Sequence, residues 1–206
     1  MSIKHYNSTK KKFKSVFEKI VKEYQSEDID EAAFPAYAHA NPLIDYLFWQ
    51  RIKIAYDISN KKNPKRVLDF GCGSGIFSQL ISQHADEVIG LDINLGPYHL
   101  IKNSIEFSDN INFIENNYQS MDWGQKPFDL IVALDVLEHV KDLKSVETFF
   151  SSITHSDSLI IISGPTENIL YKIGRKLAGN RFTGSYHESD ISYVMKFFDN
   201  YQTLNK

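Results

Sequence analysis

The hydrophobic positions of this chain follow two patterns, and the change between them falls near residue 66. Before it, apolar residues recur every three or four positions over 10–25 and again from Pro42 to about Ser59. This spacing predicts two amphipathic helices, because residues three, four and seven apart share one helical face. The polar segment "NKKNPK" that follows them predicts a loop.

From Arg66 onward, short and nearly continuous apolar runs alternate with helical patterns. Five runs have the length of buried strands: "RVLDF", "EVIGLD", "INFIE", "FDLIVALD" and "SLIIISG". The helical patterns cover 76–84, 97–107, 140–153 and 166–178. Strands that are buried on both faces and joined by helices predict a parallel sheet with right-handed crossovers. The expected fold is α/β, a doubly wound, Rossmann-like, mostly parallel sheet in a three-layer α/β/α sandwich.

The same pattern predicts how the chain is divided. Residues 1–60 are expected to form an N-terminal helical lid or substrate region, and residues 61–206 the ligand-binding domain. After the helical pattern at 166–178, the last stretch, "ESDISYVMKFFDNYQTLNK", predicts one more helix and at most one short strand, so the C-terminal part of the sheet would be shortened. An edge strand left open in this way can pair with a partner or a second copy, which is compatible with a homodimer.

Composition narrows the class of protein. The chain has 206 residues, of which 42% are hydrophobic, enough for a sizeable core. A formal net charge of -3 gives no reason to expect a nucleic-acid partner. The single cysteine, Cys72, excludes a disulfide framework and fits a reducing cytoplasm. Because no apolar run approaches the ~20 residues of a membrane-spanning helix, we expect a cytoplasmic protein.

The stretch "VLDFGCGSG", residues 67–75, is the strongest chemical signal. It runs from the first strand into Asp69 and then into glycines at every second position. Glycines at the carboxyl end of a parallel strand allow a tight turn and close contact between backbone and ligand. The second strand ends in Asp92, about 20 positions after Gly71. This spacing is typical of a carboxylate that accepts hydrogen bonds from ribose hydroxyls.

Two kinds of ligand compete for this loop, a dinucleotide and S-adenosylmethionine (SAM). The spacing G-x-G-x-G differs from the dinucleotide pattern G-x-G-x-x-G. Asp69 would repel a pyrophosphate, whereas it would attract the ammonium and sulfonium groups of SAM. These features favour an enzyme that uses SAM. Two alternatives stay open: an NAD-dependent or nucleotide-sugar oxidoreductase, and a non-catalytic SAM-binding partner subunit.

Three motifs, in this order and spacing, resemble those of the class I SAM-dependent methyltransferases: "VLDFGCGSGIFSQLIS", "VIGLDIN" and "FDLIVALDVLEHVKD". The segment "LDVLEHV" is most similar to the small-molecule branch that includes the ubiquinone-biosynthesis O-methyltransferases. The resemblance covers Arg66 to Ser163, about half of the chain. It implies SAM as the cofactor and methyl transfer to a small or lipid-like acceptor, at an oxygen.

The resemblance also implies which residues lie at the methionine end and the sulfonium of SAM. Asp69, Gly71 and Gly73 would line the methionine end, with Cys72 as a small residue between the two glycines. Asp135 would close the strand that runs beneath the sulfonium.

At the adenosine end, the resemblance implies that Asp92 holds the ribose and that Ile93 lies against the adenine. Asn117 stands where the family usually has an aspartate that accepts from the adenine amino group. An asparagine oxygen can still accept this hydrogen bond, so we keep the site with an altered contact. The backbone amide of Tyr118 would then reach an adenine nitrogen.

The segment after the fifth strand resembles the amphipathic insertion of ubiquinone-type methyltransferases. Residues 164–190 are expected to form an amphipathic lid insertion that covers an apolar acceptor and is compatible with peripheral membrane contact. Because an oxygen acceptor benefits from a general base, His187 in "GSYH" is the predicted catalytic residue, with His39 as the second candidate. Glu138 and His139 are expected to have a structural or capping role. No motif predicts a metal site.

Overall fold

The computed structural model describes residues 2–24, 29, 33–121, 123–124, 126–164 and 191–198. Its strands are β1 Arg66–Phe70, β2 Glu87–Asp92, β3 Ile111–Glu115, β4 Phe128–Leu134 and β5 Thr154–Ser163. Its helices in these ranges are α1 Ser2–Glu23, α2 Phe34–Tyr37, α3 Pro42–Lys62, α4 Ile76–Ile81, α5 Gly96–Ile101, α6 Leu143–Ser152 and α7 Ile191–Met195.

The five strands form one parallel sheet in the order β3-β2-β1-β4-β5. In the central strand, Val67 pairs with Val88 on one side and with Leu130 on the other. The strand order reverses at β1, and the carboxyl ends of β1 and β4 therefore border the crevice where open α/β sheets bind ligands. The prediction of a doubly wound parallel sheet is confirmed.

Each face of the sheet has its own hydrophobic core. On one face, Val67 and Leu130 share a buried cluster with Phe13 of α1 and Trp49 of α3. On the other face, strand residues such as Leu68 share a second cluster with residues of α6 and α7. Side chains alternate between the two faces of a strand, so these clusters define the three layers.

The two N-terminal helices are longer than the sequence predicts. Helix α1 begins at Ser2, because Tyr6 continues its buried face and donates a hydrogen bond to the Trp49 carbonyl oxygen at 2.8 Å. Helix α3 extends into the predicted loop and ends at Lys62; the next residue, Asn63, has a left-handed φ of 51°. Such a residue is a common helix terminator.

The helices that connect the strands are shorter than predicted. Helix α4 ends at Ile81, and helix α5 ends at Ile101, several residues before the apolar pattern stops. The expected helix over 166–178 lies outside the described residues, as does nearly all of the expected insertion at 164–190. The domain boundary near residue 60 stays a prediction. In the described part of the chain, no helix has the length and apolar character that crossing a membrane requires.

Candidate active site

The glycine loop between β1 and α4 has a left-handed backbone. Gly71, Gly73 and Gly75 have φ angles of 73°, 51° and 76°, which L side chains rarely adopt. The loop is held in place because the amides of Gly71 and Cys72 donate to the Leu91 carbonyl oxygen at 2.8 and 3.1 Å. The sequence pattern of alternating glycines therefore reflects a real backbone requirement.

Two of these glycines differ in what they face. A Cβ at Gly71 would come within 2.4 Å of the Val136 side chain, so the turn after β4 packs directly against the loop. A Cβ at Gly73 would meet nothing within 4 Å, so this glycine borders open space. An approaching ligand can use that space without displacing protein atoms.

Asp69 lies at the base of the loop, where it also fastens the following helix. Its Oδ2 accepts hydrogen bonds from the Ser78 amide at 3.0 Å and the Ser78 hydroxyl at 2.6 Å. Burial, and to a smaller degree the nearby charge of Asp92, raises the pKa of Asp69 to about 7, although the Ser78 bonds lower it. A cation bound beside Asp69 would lower that pKa and favour the charged form.

Asp92 connects the end of β2 to the glycine loop. Its Oδ2 accepts from the Gly73 amide at 2.8 Å, and its Oδ1 accepts from the Asn94 amide at 3.1 Å. Burial raises the pKa of Asp92, and these backbone donors act against the rise. The next residue, Ile93, is 81% exposed, an unusual exposure for a large aliphatic side chain. The structure therefore places a carboxylate beside Gly73 and an exposed apolar side chain at the next position along the chain.

Asn117 and Tyr118 lie beyond the end of β3. The Asn117 Oδ1 accepts from the Gln119 amide at 3.1 Å and begins a short 3-10 turn over residues 118–120. The strand ends are joined here, because the Asn116 amide donates to the Asp92 carbonyl oxygen at 2.9 Å. The Tyr118 ring packs 4.7 Å from the Phe149 ring, and its hydroxyl donates to the Ser145 Oγ at 3.1 Å.

Cys72 is buried between the glycines. Burial raises the pKa of its thiol well above the usual value, with smaller contributions from the charges of Asp69 and Asp92. A thiol in this environment stays protonated and is a poor nucleophile. The position is consistent with a small filler residue in the loop.

Asp135 follows β4 in a left-handed conformation with a φ of 53°. Its Oδ2 pairs with Nη1 of Arg51 at 2.5 Å, and its Oδ1 accepts from the Ser163 hydroxyl at 3.1 Å. Arg51 of α3 also lies over the Phe48 ring, 4.8 Å from its centroid. The sequence analysis did not identify Arg51, because its partner is more than 80 residues away and only the fold brings the two together.

Tyr37 of α2 lies in the same neighbourhood. Burial raises the pKa of its hydroxyl to about 12; a hydrogen bond from Arg51 and the Arg51 charge lower it, while the Asp135 charge raises it. The N-terminal region therefore contributes a tyrosine and an arginine to the carboxyl end of β4. Residues from outside the Rossmann-like part thus complete this side of the site.

Glu138 is buried on a 3-10 turn over Leu137–His139, and it does not begin a helix. The capping residue of α6 is Asp142, whose Oδ1 accepts from the Ser145 amide at 3.0 Å. Glu138 therefore does not cap α6, and the structural role that the sequence analysis gave as the alternative stays a prediction. Burial and the charge of Asp135 raise the pKa of Glu138 to about 7, whereas the Arg51 charge lowers it.

The predicted catalytic residue, His187, lies outside the described residues. His39, the second candidate, precedes α3, where its Nδ1 accepts from the Asn41 amide at 3.0 Å. Among the described residues, no group of three or more His, Cys, Asp and Glu side chains is arranged to hold a metal ion.

The arrangement fits a cationic nucleoside better than a pyrophosphate. Open space beside Gly73 lies next to the Asp92 carboxylate, and Asp69 is a second acid, buried at the base of the same loop. Carboxyl groups favour a cation over the negative charges of a pyrophosphate. Fold and site together define a Rossmann-like nucleoside-binding α/β protein.

Comparison with known proteins identifies the family. A family model described as a methyltransferase domain matches residues 43–198, so the chain belongs to the methyltransferase-domain family. This match favours the methyltransferase interpretation over an oxidoreductase.

Curated relatives include ubiquinone biosynthesis O-methyltransferases. That of Erwinia tasmaniensis is 29% identical over 126 residues, 54% of this chain and 52% of the relative. That of Yersinia enterocolitica is 27% identical over 143 residues, 67% of this chain and 55% of the relative. The chain therefore spans about half the length of the curated relatives it matches.

A solved structure supports the fold. The N-methyltransferase NodS of Bradyrhizobium japonicum, in complex with S-adenosylhomocysteine (SAH), has a TM-score of 0.59 at 14% identity. The match covers 95% of this chain and 85% of NodS. At this level of identity, the similarity establishes the shared architecture.

Proposed function

We propose that this protein is a SAM-dependent methyltransferase that transfers a methyl group to an oxygen of a small or lipid-like acceptor. The observation that carries the proposal is the open glycine loop bordered by carboxyl groups, in a chain of the methyltransferase-domain family. The oxygen is suggested by the ubiquinone biosynthesis O-methyltransferases among the relatives.

Each predicted cofactor residue has a role in this proposal. Gly71, Cys72 and Gly73 supply backbone that allows close approach, and Asp69 provides a charge that favours the cationic methionine end. Asp135 completes the methionine side at the end of β4.

The adenosine end of the proposed site is formed by the ends of β2 and β3. Asp92 receives the ribose hydroxyls, the exposed Ile93 side chain covers the adenine, and Asn117 and Tyr118 contact the adenine edge. The Asn117 oxygen already accepts one hydrogen bond from Gln119, and its second lone pair is the one we assign to the adenine amino group.

SAM supplies an activated methyl group when it is bound. The chain then has to align the acceptor oxygen with that carbon and keep water out. The aromatic side chains of Tyr37 and Phe48, beside Arg51, favour an apolar or ring-containing acceptor at the carboxyl end of β4. The sequence-based assignment of His187 as the base that removes the acceptor proton stays a prediction.

Calorimetry with three ligands tests the cofactor. We expect SAM and SAH to bind and NAD not to bind, because carboxyl groups surround the loop. The variant Asp92→Asn should weaken SAH binding by at least about tenfold, since a charge-assisted hydrogen bond contributes roughly 1.5–3 kcal/mol. Asp86→Asn, on the surface away from the loop, is the matched control. Binding of NAD in preference to SAH would contradict the proposal.

The acceptor can be identified by methyl transfer from labelled SAM into extracts of the source cells. The labelled fraction would reveal the acceptor class. If SAH binds tightly but no extract fraction or added acceptor takes up label, a non-catalytic SAM-binding subunit is the better interpretation.

A cytoplasmic location, peripheral membrane contact and a homodimer also belong to this proposal. A cytoplasmic location is supported by the single buried cysteine. Co-sedimentation with anionic vesicles at low salt tests peripheral membrane contact, and sedimentation velocity tests a homodimer. If the protein does not bind the vesicles, the proposed membrane contact is wrong. If the protein is a monomer at all concentrations tested, the proposed homodimer is wrong.

A further inference from the structure

Phe113 of β3 lies in a space that two glycines leave open. In the register of β2 with β3, Phe113 pairs directly with Gly90. A Cβ at Gly90 would lie 2.8 Å from Cδ1 of Phe113, and a Cβ at Gly75 would lie 2.6 Å from Cζ of the same ring. Both distances are well below ordinary van der Waals contact, so a side chain at either glycine would displace the ring. The ring therefore packs directly on the backbone of β2 and of the glycine loop.

Gly90 serves packing, because its backbone conformation does not require glycine. It is not left-handed, in contrast to Gly75, whose φ is 76°. A strand residue with a side chain could adopt the same backbone. A Cβ at Gly90 would also lie 3.1 Å from the Ser78 hydroxyl, which donates to Asp69 at 2.6 Å. The same glycine therefore makes room for the Phe113 ring and for the group that supports Asp69.

Aromatic neighbours restrict the Phe113 ring. The Tyr98 ring of α5 stacks on it, with centroids 4.2 Å apart and an interplanar angle of 28°. The Phe107 ring meets it edge-on at 5.0 Å. Phe107 in turn lies 6.0 Å from the ring of Phe13, a fully buried residue of α1. Aromatic pairs in these geometries are favourable beyond their apolar burial, so they hold the Phe113 ring against the two glycines.

Phe113 connects the segments to which the proposed function assigns the cofactor. Gly75 is the last residue of the glycine loop before α4. Gly90 is two residues before Asp92, which accepts from the Gly73 amide at 2.8 Å. The strand that carries Phe113 leads to the segment proposed to contact adenine. One side chain therefore touches the loop and β2 and belongs to the third segment of the proposed site.

We propose that Phe113 is a positioning residue of the cofactor site. Its ring sets the distance between the glycine loop and the carboxyl ends of β2 and β3, where adenosine would lie. The inference rests on the proposed function, because it assigns SAM to this space. A smaller side chain would leave a void beside two glycines that have no side chains to fill it. The loop would then shift, and the groups that meet the cofactor would lose their alignment.

Calorimetry with SAH compares two variants in which phenylalanine becomes leucine. Phe113→Leu should weaken SAH binding about tenfold, because residues in direct contact with a binding loop are energetically coupled to it. The matched control is Phe128→Leu, because Phe128 is fully buried at the amino end of β4, away from the ligand crevice. This control should lose at least as much stability in urea and still bind SAH like the wild type. Lower stability alone does not change the affinity of the molecules that remain folded.

Amide hydrogen exchange in the free protein provides a measurement that needs no ligand. The amides of Gly71 and Cys72 donate to the Leu91 carbonyl oxygen, and these bonds fasten the loop to β2. Each rate is divided by that of the slowest amides in β1, which removes the effect of overall stability. In Phe113→Leu, both loop amides should then exchange at least about tenfold faster than in Phe128→Leu. Equal exchange in the two variants would mean that the ring does not hold the loop.

Gly90→Ala is an independent test, because it displaces the ring without removing it. The new Cβ would overlap Phe113, so this variant should also weaken SAH binding. The double variant, Gly90→Ala with Phe113→Leu, should bind SAH more tightly than the two single losses together predict. The reason is that the smaller side chain leaves room for the Cβ. Losses that simply add would show that the two positions act separately and would contradict the proposal.

The outcomes separate this inference from the proposed function. If the wild type binds neither SAM nor SAH, the proposed function fails, and the inference fails with it. If the wild type binds SAH and Phe113→Leu changes the affinity by less than about twofold, the inference is wrong while the function stands. The same conclusion follows if Phe128→Leu weakens binding as much. Should Phe113→Leu not fold, Gly90→Ala decides: a loss of about tenfold supports the inference, and unchanged SAH affinity overturns it.

Discussion

At the scale of single residues, Gly71 and Gly73 share a backbone conformation but serve different purposes. Gly71 is required by packing, because a Cβ there would overlap the Val136 side chain. Gly73 has room for a Cβ and borders open space, where we propose that the cofactor approaches the backbone. The glycine pattern would then combine a folding requirement with a binding requirement.

The two glycines should respond differently to alanine. Gly73→Ala should cost only about 1–2 kcal/mol of folding free energy, the usual cost of a left-handed L-residue, yet weaken SAH binding more than tenfold. Gly71→Ala should cost more in folding, because steric overlap is added to the same strain. Urea titration and calorimetry measure both quantities. A Gly73→Ala protein that binds SAH normally would show that the loop does not touch the cofactor.

At the scale of elements, α1 is fastened to α3 by charges as well as by apolar contacts. Asp45 of α3 pairs with Lys10 at 2.5 Å and with Lys14 at 2.6 Å. Partial burial alone would raise the pKa of Asp45, but the hydrogen bonds from the two lysines outweigh it and lower the pKa. Two lysines of α1 therefore join this helix to α3.

Asp45→Asn should reduce stability by about 1 kcal/mol at neutral pH, and high salt should diminish the difference. Because the folded-state pKa is depressed, the contribution of Asp45 is present above its unfolded value of 3.8 and lost as the pH falls through the folded value. The control is Asp57→Asn, whose more exposed pair with Lys53 should contribute less than about 0.5 kcal/mol. Equal losses in the two variants would argue against a special role for Asp45.

At the scale of the whole molecule, the N-terminal helices and the sheet share one hydrophobic core. Tyr6, Phe13 and Phe17 of α1 belong to the same buried cluster as Val67 of β1 and Leu80 of α4. Helix α3 also supplies Arg51 to the end of β4. The N-terminal region is therefore both part of the folding unit and part of the candidate active site.

Deletion of residues 1–24 should abolish cooperative folding of the remaining chain. Each large aromatic residue removed from a core costs roughly 3–5 kcal/mol, and a domain has only about 5–15 kcal/mol of stability. Circular dichroism during heating would show a broad transition and early aggregation. As a control, the double variant Lys11→Ala and Lys19→Ala, at exposed positions of α1, should melt like the wild type. A truncated protein with a sharp transition would mean that α1 is an independent lid.

The architecture follows from the sequence because a strand that is buried on both faces needs a continuous run of apolar residues, which is visible along the chain. Continuous apolar runs such as those at β1 and β4, separated by helical patterns, specify a parallel sheet without any knowledge of contacts. The glycine loop and the acids Asp69 and Asp92 are likewise local, since each lies at the carboxyl end of a strand, where open α/β sheets bind ligands. Helix ends were less well predicted, because tertiary contacts such as that of Tyr6 extend them.

The sequence by itself determined the fold class, the glycine loop and the acids at the carboxyl ends of the first two strands, because these depend on neighbours along the chain. Only the tertiary structure decided that Arg51 meets Asp135 and that Glu138 is buried with an oxygen lacking a partner in the described residues. Such features depend on groups far apart in sequence, and burial and charge act through space. No spacing rule along the chain encodes them.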